Sequence, residues 1–193
     1  MSAAFLIVLS LYTFKNRYTL LAVFYQTLGS QQQAIEEFTR AAEHDPGNAY
    51  ALYQLGLLHK ERGDIKRAES VYRKLLSIFP EHPFASYDLG YLYREKGEYG
   101  KAIEQYRKAL ELDSENVHVH YDLGFIYKAQ GRYDEALVEY ERVLAADPGH
   151  QYALWDMADV YEQMGQKDRA EEQRKHYHEM TDCSFRRFWN CLD

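Results

Sequence analysis

The sequence predicts an all-α chain, a solenoid of stacked helical hairpins, and three observations carry that reading. First, the stretch Tyr121–Pro148 (YDLGFIYKAQGRYDEALVEYERVLAADP) matches the chain again when shifted by 34 residues, at Tyr87 and at Tyr53. A fixed period of this length is the mark of supersecondary units that bury their apolar faces against one another. Second, two columns run unbroken through five copies: Gly29, Gly63, Gly97, Gly131 and Gly165, and Ala34, Ala68, Ala102, Ala136 and Ala170. The glycine suits a helix end where the chain turns at positive φ. The alanine suits a close crossing of two helices, where a larger side chain does not fit. Third, Leu52, Leu55, Gly56 and His59 recur at i, i+3, i+4 and i+7, one face of a helix.

Other columns bend but hold. Gly56, Gly90 and Gly124 give way to Ala22 and Ala158 in the end copies, still small. Leu21, Leu55, Leu89, Leu123 and Met157 form an apolar column, and Tyr25, Tyr93, Tyr127 and Tyr161 another, with His59 as its exception. Phe38, Tyr72, Tyr106 and Tyr140 recur in the second helix, where Arg174 breaks the set. Pro46, Pro80 and Pro148 end second helices, because proline offers no N–H and biases its predecessor away from helical geometry.

This order of small, large and helix-breaking columns resembles the tetratricopeptide repeat (TPR) family, from about Lys15 to Ser184. The resemblance implies antiparallel helix pairs stacked into a right-handed superhelical solenoid. It also implies that the first helix of each pair lines a concave groove that binds peptides or partner proteins.

In chain order, Met1–Phe14 (MSAAFLIVLSLYTF) carries no charged side chain and is followed by Lys15, Asn16 and Arg17. Three readings of residues 1–14 stay open: a cap helix over the first copy, a membrane anchor, and a cleaved signal peptide. The run is shorter than the roughly 20 apolar residues of a spanning helix. As an anchor, Lys15 and Arg17 would hold the repeats on the cytoplasmic side. A signal peptide lacks support in a basic start or a small-x-small cleavage site. Residues 15–184 form one repeat domain, with copies at 15–48, 49–82, 83–116, 117–150 and 151–184. The first copy is the most worn. Asp45-Pro46-Gly47-Asn48 and Asp147-Pro148-Gly149-His150 are tight turns that leave no room for a linker. The fifth copy degrades in its second helix. Asp182–Asp193 then reads as a C-terminal capping helix ending over residues 185–193, with Phe185, Phe188, Trp189 and Leu192 on one face.

Composition excludes several classes. A net charge of −7 and a pI near 5.6 oppose nonspecific nucleic-acid binding, which needs a concentrated basic surface. Two cysteines are too few for a disulfide scaffold. The glycines are spaced as helix breakers, not as a phosphate-binding loop, and GxSxG, HExxH and paired CxxC motifs are absent. Acidic residues pair with basic ones along helix faces, as Glu104 does with Lys108. His176, His178, Cys183 and Cys191 are zinc-ligand types, but their spacing fits no common zinc module. The expectation is therefore no catalysis, no cofactor and no metal.

The candidate site is the second stripe of each first helix, which faces the groove if the stacking is that of the family. It reads Tyr50, Tyr53 and Leu57; then Phe84, Tyr87 and Tyr91; then His118, Tyr121 and Phe125; then Tyr152, Trp155 and Asp159. Beside it run Gln54, Asp88, Asp122 and Asp156, and one turn further Lys60, Arg94, Lys128 and Glu162. Tyr and Trp bury much area with few rotors and dominate binding hot spots. Three readings of the Asp row stay open: it accepts hydrogen bonds from peptide N–H groups, it pairs with Arg and Lys of a ligand, or it pairs with the Lys/Arg row across the groove. Chaperone-binding members of the family clamp a terminal carboxylate with Lys and Asn. The matching positions here hold Thr19, Val23, Gln54, Phe84 and Asp88, or one copy later Tyr53, Leu57, Asp88, His118 and Asp122, which cannot form that clamp.

The expected function is a non-catalytic adaptor that holds a protein or peptide partner on this aromatic, mixed-charge wall. The alternative is a structural assembly unit that self-associates, or docks on a membrane through residues 1–14. The expected compartment is the cytoplasm, with membrane association open through the same residues.

Overall fold

The computed structural model describes residues 16–189, with side chains to residue 180. The described backbone is helical throughout, apart from short turns, and contains no strand. The helices are α1 (residues 16–27), α2 (Gln31–His44), α3 (Ala49–Glu61), α4 (Ile65–Ile78), α5 (Pro83–Glu95), α6 (Tyr99–Leu112), α7 (Val117–Ala129), α8 (Tyr133–Ala146), α9 (Gln151–Gln163) and α10 (Lys167–Trp189). The chain forms two compact units, Met1–Leu92 and Tyr93–Asp193, with the boundary inside α5.

The same device ends every first helix. Gly29, Gly63, Gly97, Gly131 and Gly165 all sit at φ between 71° and 75°. The residue after each glycine donates its N–H to the carbonyl five positions back, as Asp64 does to His59 and Arg132 to Tyr127. The glycine itself donates to the carbonyl three back, as Gly63 does to Lys60. This double closure satisfies carbonyls the helix leaves orphaned, and it requires a left-handed residue at the turn. The first helices α3, α5, α7 and α9 themselves begin at polar caps. Asn48 Oδ1 accepts the Ala51 N–H at 2.9 Å and Asn116 Oδ1 that of Val119 at 3.2 Å. His82 Nδ1 and His150 Nδ1 do the same for Ala85 and Ala153, at 3.2 and 3.1 Å.

In the first unit, α2 packs on α3 and α3 on α4. Ala34, Ile35, Phe38 and Ala41 meet Ala51, Leu55 and Leu58 in one buried cluster. Burying the isoleucine, phenylalanine and leucine side chains among them contributes roughly 1.5–3 kcal/mol each. Tyr72 lies flat against the α3 backbone, so a Cβ at Gly56 would stand 2.4 Å from its ring. In the second unit α7 packs on α8, α8 on α9 and α9 on α10. Tyr140 covers Gly124 in the same way, at 2.6 Å. The five column alanines are buried, which is the close crossing their conservation of size predicts.

The two ends of the repeat differ from its middle. Leu20, Leu21 and Phe24 of α1 and Leu28 of the turn after it are 55%, 40%, 54% and 60% exposed. Leu55 and Leu58, which match Leu21 and Phe24 in the next copy, are buried. In the fifth copy Arg174, standing where other copies have an aromatic ring, pairs with Glu162. Trp155 instead packs edge-on against Tyr177, with ring centres 5.5 Å apart. Residues 182–189 continue α10 without a break, so the last helix expected from Asp182 is the C-terminal end of α10. The apolar face expected of Phe185, Phe188, Trp189 and Leu192 lies outside the described side chains, as do Cys183 and Cys191. The three readings of residues 1–14 lie outside the described residues too. No helix among the described residues is long and apolar enough to cross a membrane.

Candidate partner-binding surface

The first helices position every residue of the candidate stripe. The structure separates these residues by exposure. Tyr50, Phe84, Tyr152 and Trp155 are 49%, 61%, 71% and 54% exposed, and Phe125 is 36% exposed. Tyr53, Tyr87, Tyr91 and Tyr121 are half-buried. Asp88, Asp122 and Asp156 are buried.

Each buried aspartate is a node. Asp88 accepts from the Tyr53 hydroxyl at 3.0 Å and from Lys60 Nζ at 2.5 Å. Asp122 accepts from the Tyr106 hydroxyl at 2.8 Å and pairs with Arg94. Asp156 accepts from Tyr121 at 2.9 Å, Lys128 at 2.6 Å and Tyr140 at 3.5 Å. Lys128 also reaches Asp159 at 3.1 Å. Among the readings of the Asp row, the structure contains the pairing with the Lys/Arg row, which satisfies each buried carboxylate internally.

The electrostatics follow from this. Burial, and then the neighbouring carboxylate, push the Tyr53 and Tyr121 hydroxyls well above the usual tyrosine range. Burial on its own would lower Arg94 and Lys128. Asp122 and Glu95 for the first, and Asp156 and Asp159 for the second, more than reverse that and raise both. The two cations therefore stay charged and engaged.

One link in these nodes escapes a reading of columns taken singly. Tyr72, Tyr106 and Tyr140 read as packing, and the aspartates as groove lining, yet Tyr106 bonds Asp122 and Tyr140 bonds Asp156, each 16 residues on. The signal was present in the first copy. There Phe38, which has no hydroxyl, stands 16 residues before Gln54, which has no charge. His82 and His150 were missed as well. Each ring sits against a tyrosine of the stripe, 5.1 Å from Tyr53 and 5.2 Å from Tyr121. Phe84 lies 6.0 Å from Tyr53, and Tyr152 lies 6.3 Å from Tyr121. The result is two aromatic platforms of the same construction, Tyr53–His82–Phe84 in the first unit and Tyr121–His150–Tyr152 in the second. Among the described residues no group of three or more His, Cys, Asp or Glu is placed to hold a metal ion.

Comparison with known proteins places these features in a wider set. A family model described as "Tetratricopeptide repeat" matches residues 28–83 and 127–173, more than half of the chain, and one described as "TPR repeat" matches residues 90–131. A crystal structure of MamA superposes with a TM-score of 0.83 at 25% identity, covering 86% of this chain and 97% of that one. MamA 41-end from Desulfovibrio magneticus RS-1 gives a TM-score of 0.82 at 20% identity, over 88% and 96% of the two chains. YrrB, described as a TPR protein with an unusual peptide-binding site, gives 0.77 at 22%, over 89% and 91%. No curated protein matches at the sequence level. The fold is thus an all-α helical-repeat solenoid.

Proposed function

The chain belongs to the tetratricopeptide repeat family, and from that premise we propose that it is a non-catalytic scaffold that receives a protein or peptide segment on the aromatic faces of its first helices. The observation that carries this reading is the exposure of Tyr50, Phe84, Tyr152 and Trp155 on a family scaffold whose role is protein interaction. Rings of this size are left in water when they serve contact rather than core. The contact set narrows to Tyr50, Phe84, Phe125, Tyr152 and Trp155, with Tyr53, Tyr87, Tyr91 and Tyr121 forming their floor. Asp88, Arg94, Asp122, Lys128 and Asp156 act as braces that hold the floor in place.

The test compares affinity capture from native lysate by the unchanged chain and by Phe84→Ala with Tyr152→Ala. Both side chains are exposed, so far-UV circular dichroism should be unchanged while captured partners are lost. Retention of the same partners would move the site elsewhere.

A second reading, self-association, is favoured by the apolar side chains of α1 and its closing turn, with Leu20, Leu21, Phe24 and Leu28 all exposed. Solution mass with and without Leu21→Asp and Phe24→Asp tests it. A monomer in both states removes it.

A further inference from the structure

We propose that each aromatic platform, taken by itself, receives a segment that carries Lys or Arg between apolar side chains, a refinement that rests on the function proposed above. The cations of the stripe are already engaged. Lys60 is held by Asp88, Arg94 by Asp122 and Glu95, and Lys128 by Asp156 and Asp159. An incoming carboxylate would have to displace a buried aspartate that also holds tyrosine hydroxyls, so an anionic segment meets repulsion without a compensating partner. At Lys128 two carboxylates share one ammonium, and the side chain of Asp159 is 42% exposed, which leaves negative charge at the surface. The chain as a whole carries −7.

The rings themselves favour a cation. Phe84 and Tyr152, at 61% and 71%, are the most exposed aromatic side chains of the stripe. Behind them Tyr53 and Tyr121 donate their hydroxyls to carboxylates. That donation raises electron density on the rings and deepens the negative face that attracts cations. His82 Nδ1 and His150 Nδ1 are both taken up as caps on backbone N–H groups. The chain already uses the same chemistry one turn along. Lys60 Nζ lies 5.6 Å from the Tyr91 ring centre, and Arg94 Cζ lies 5.3 Å from that of Phe125. Apolar side chains between the cations would bury the remaining ring area, which is where contact energy accumulates.

Two fluorescein-labelled peptides of equal length, alternating Leu-Lys and alternating Leu-Glu, test this by anisotropy at ~150 mM salt, where long-range attraction is screened. The Leu-Lys peptide should bind at least about tenfold tighter, and Phe84→Ala and Tyr152→Ala should each weaken it by roughly three- to tenfold. Equal or tighter binding of the Leu-Glu peptide, with loss on the same substitutions, overturns the cationic class and leaves the aromatic surface standing. Leu-Lys binding untouched by both substitutions reports only attraction to an acidic protein and overturns the proposal. So does the absence of binding by either peptide, a result separable from the lysate capture, which does not depend on charge class.

Discussion

At the scale of single residues, Asp156 shows what the buried row does. It gathers Tyr121, Lys128 and Tyr140, so Asp156→Ala leaves two tyrosine hydroxyls without their acceptor and Lys128 with Asp159 alone. The expected loss is about 3 kcal/mol, read from the urea midpoint. The first copy suggests a milder pair. Tyr106→Phe with Asp122→Gln reproduces Phe38 and Gln54 at a pair that is hydrogen-bonded, and should cost less than the two single changes added together, a coupling that a double-mutant cycle measures. His82 carries a pH prediction. Burial holds its ring below the ordinary histidine value, with its own backbone and Asp88 opposing. A group depressed in the folded state contributes stability above its unfolded value of about 6.5 and loses it as pH falls toward the folded value. His82→Asn keeps a cap acceptor, as Asn48 and Asn116 do, and should reduce the drop in urea midpoint between neutral and mildly acidic pH. His59, lowered chiefly by burial as well, should preserve the rest of that drop. An unchanged pH dependence in the variant would remove His82 from the account. These hydroxyl–carboxylate bonds and histidine caps were the least legible part of the sequence, because each joins two columns that look self-sufficient when read alone.

At the scale of elements, the turns that end the first helices were legible in the sequence. A helix end at positive φ admits little but glycine, and a crossing as close as that of Tyr72 over Gly56 admits no side chain. Gly131→Ala tests the turn in isolation. No atom lies within 4 Å of a Cβ placed there, so its expected cost of roughly 1–2 kcal/mol is backbone strain alone. A thermal or urea melt checks it. Had that space been filled, packing would be mixed into the same number. The exposure pattern within a helix was less legible. Tyr50 and Tyr53 occupy the same stripe, yet one is exposed and the other half-buried. That difference depends on the ring set beside each by the next copy's cap, His82 for Tyr53, and a helical period alone does not contain it. The continuity of α10 through residues 182–189 was also not anticipated. Asp182 stands where Pro46, Pro80 and Pro148 close three of the other second helices, and unlike proline it supplies the N–H that another turn of helix needs.

At the scale of the whole molecule, the repeat makes a demand that no single hairpin does: each pair must present the same columns to its neighbour before and after. Stability should then be close to a sum of pair and interface contributions. Removal of one full period tests this. Excision of residues 117–150 joins Asn116 to Gln151 and so keeps an Asn cap ahead of a first helix. It also restores the 16-residue spacing, bringing Asp156 that far beyond Tyr106, and the 28-residue spacing, bringing it that far beyond Lys128's counterpart Arg94. The shortened chain should keep its helical signal per residue and a single cooperative melt, with the urea m-value lower by about a fifth as buried area falls. Excision of a single helix, such as residues 133–149, is the control. It brings two first helices into succession, sets alanine and tyrosine columns against the wrong partners, and should abolish the cooperative transition. If the full-period excision behaved like the single-helix excision, interchangeable hairpins would be the wrong physical account, however regular the glycines and alanines look in sequence.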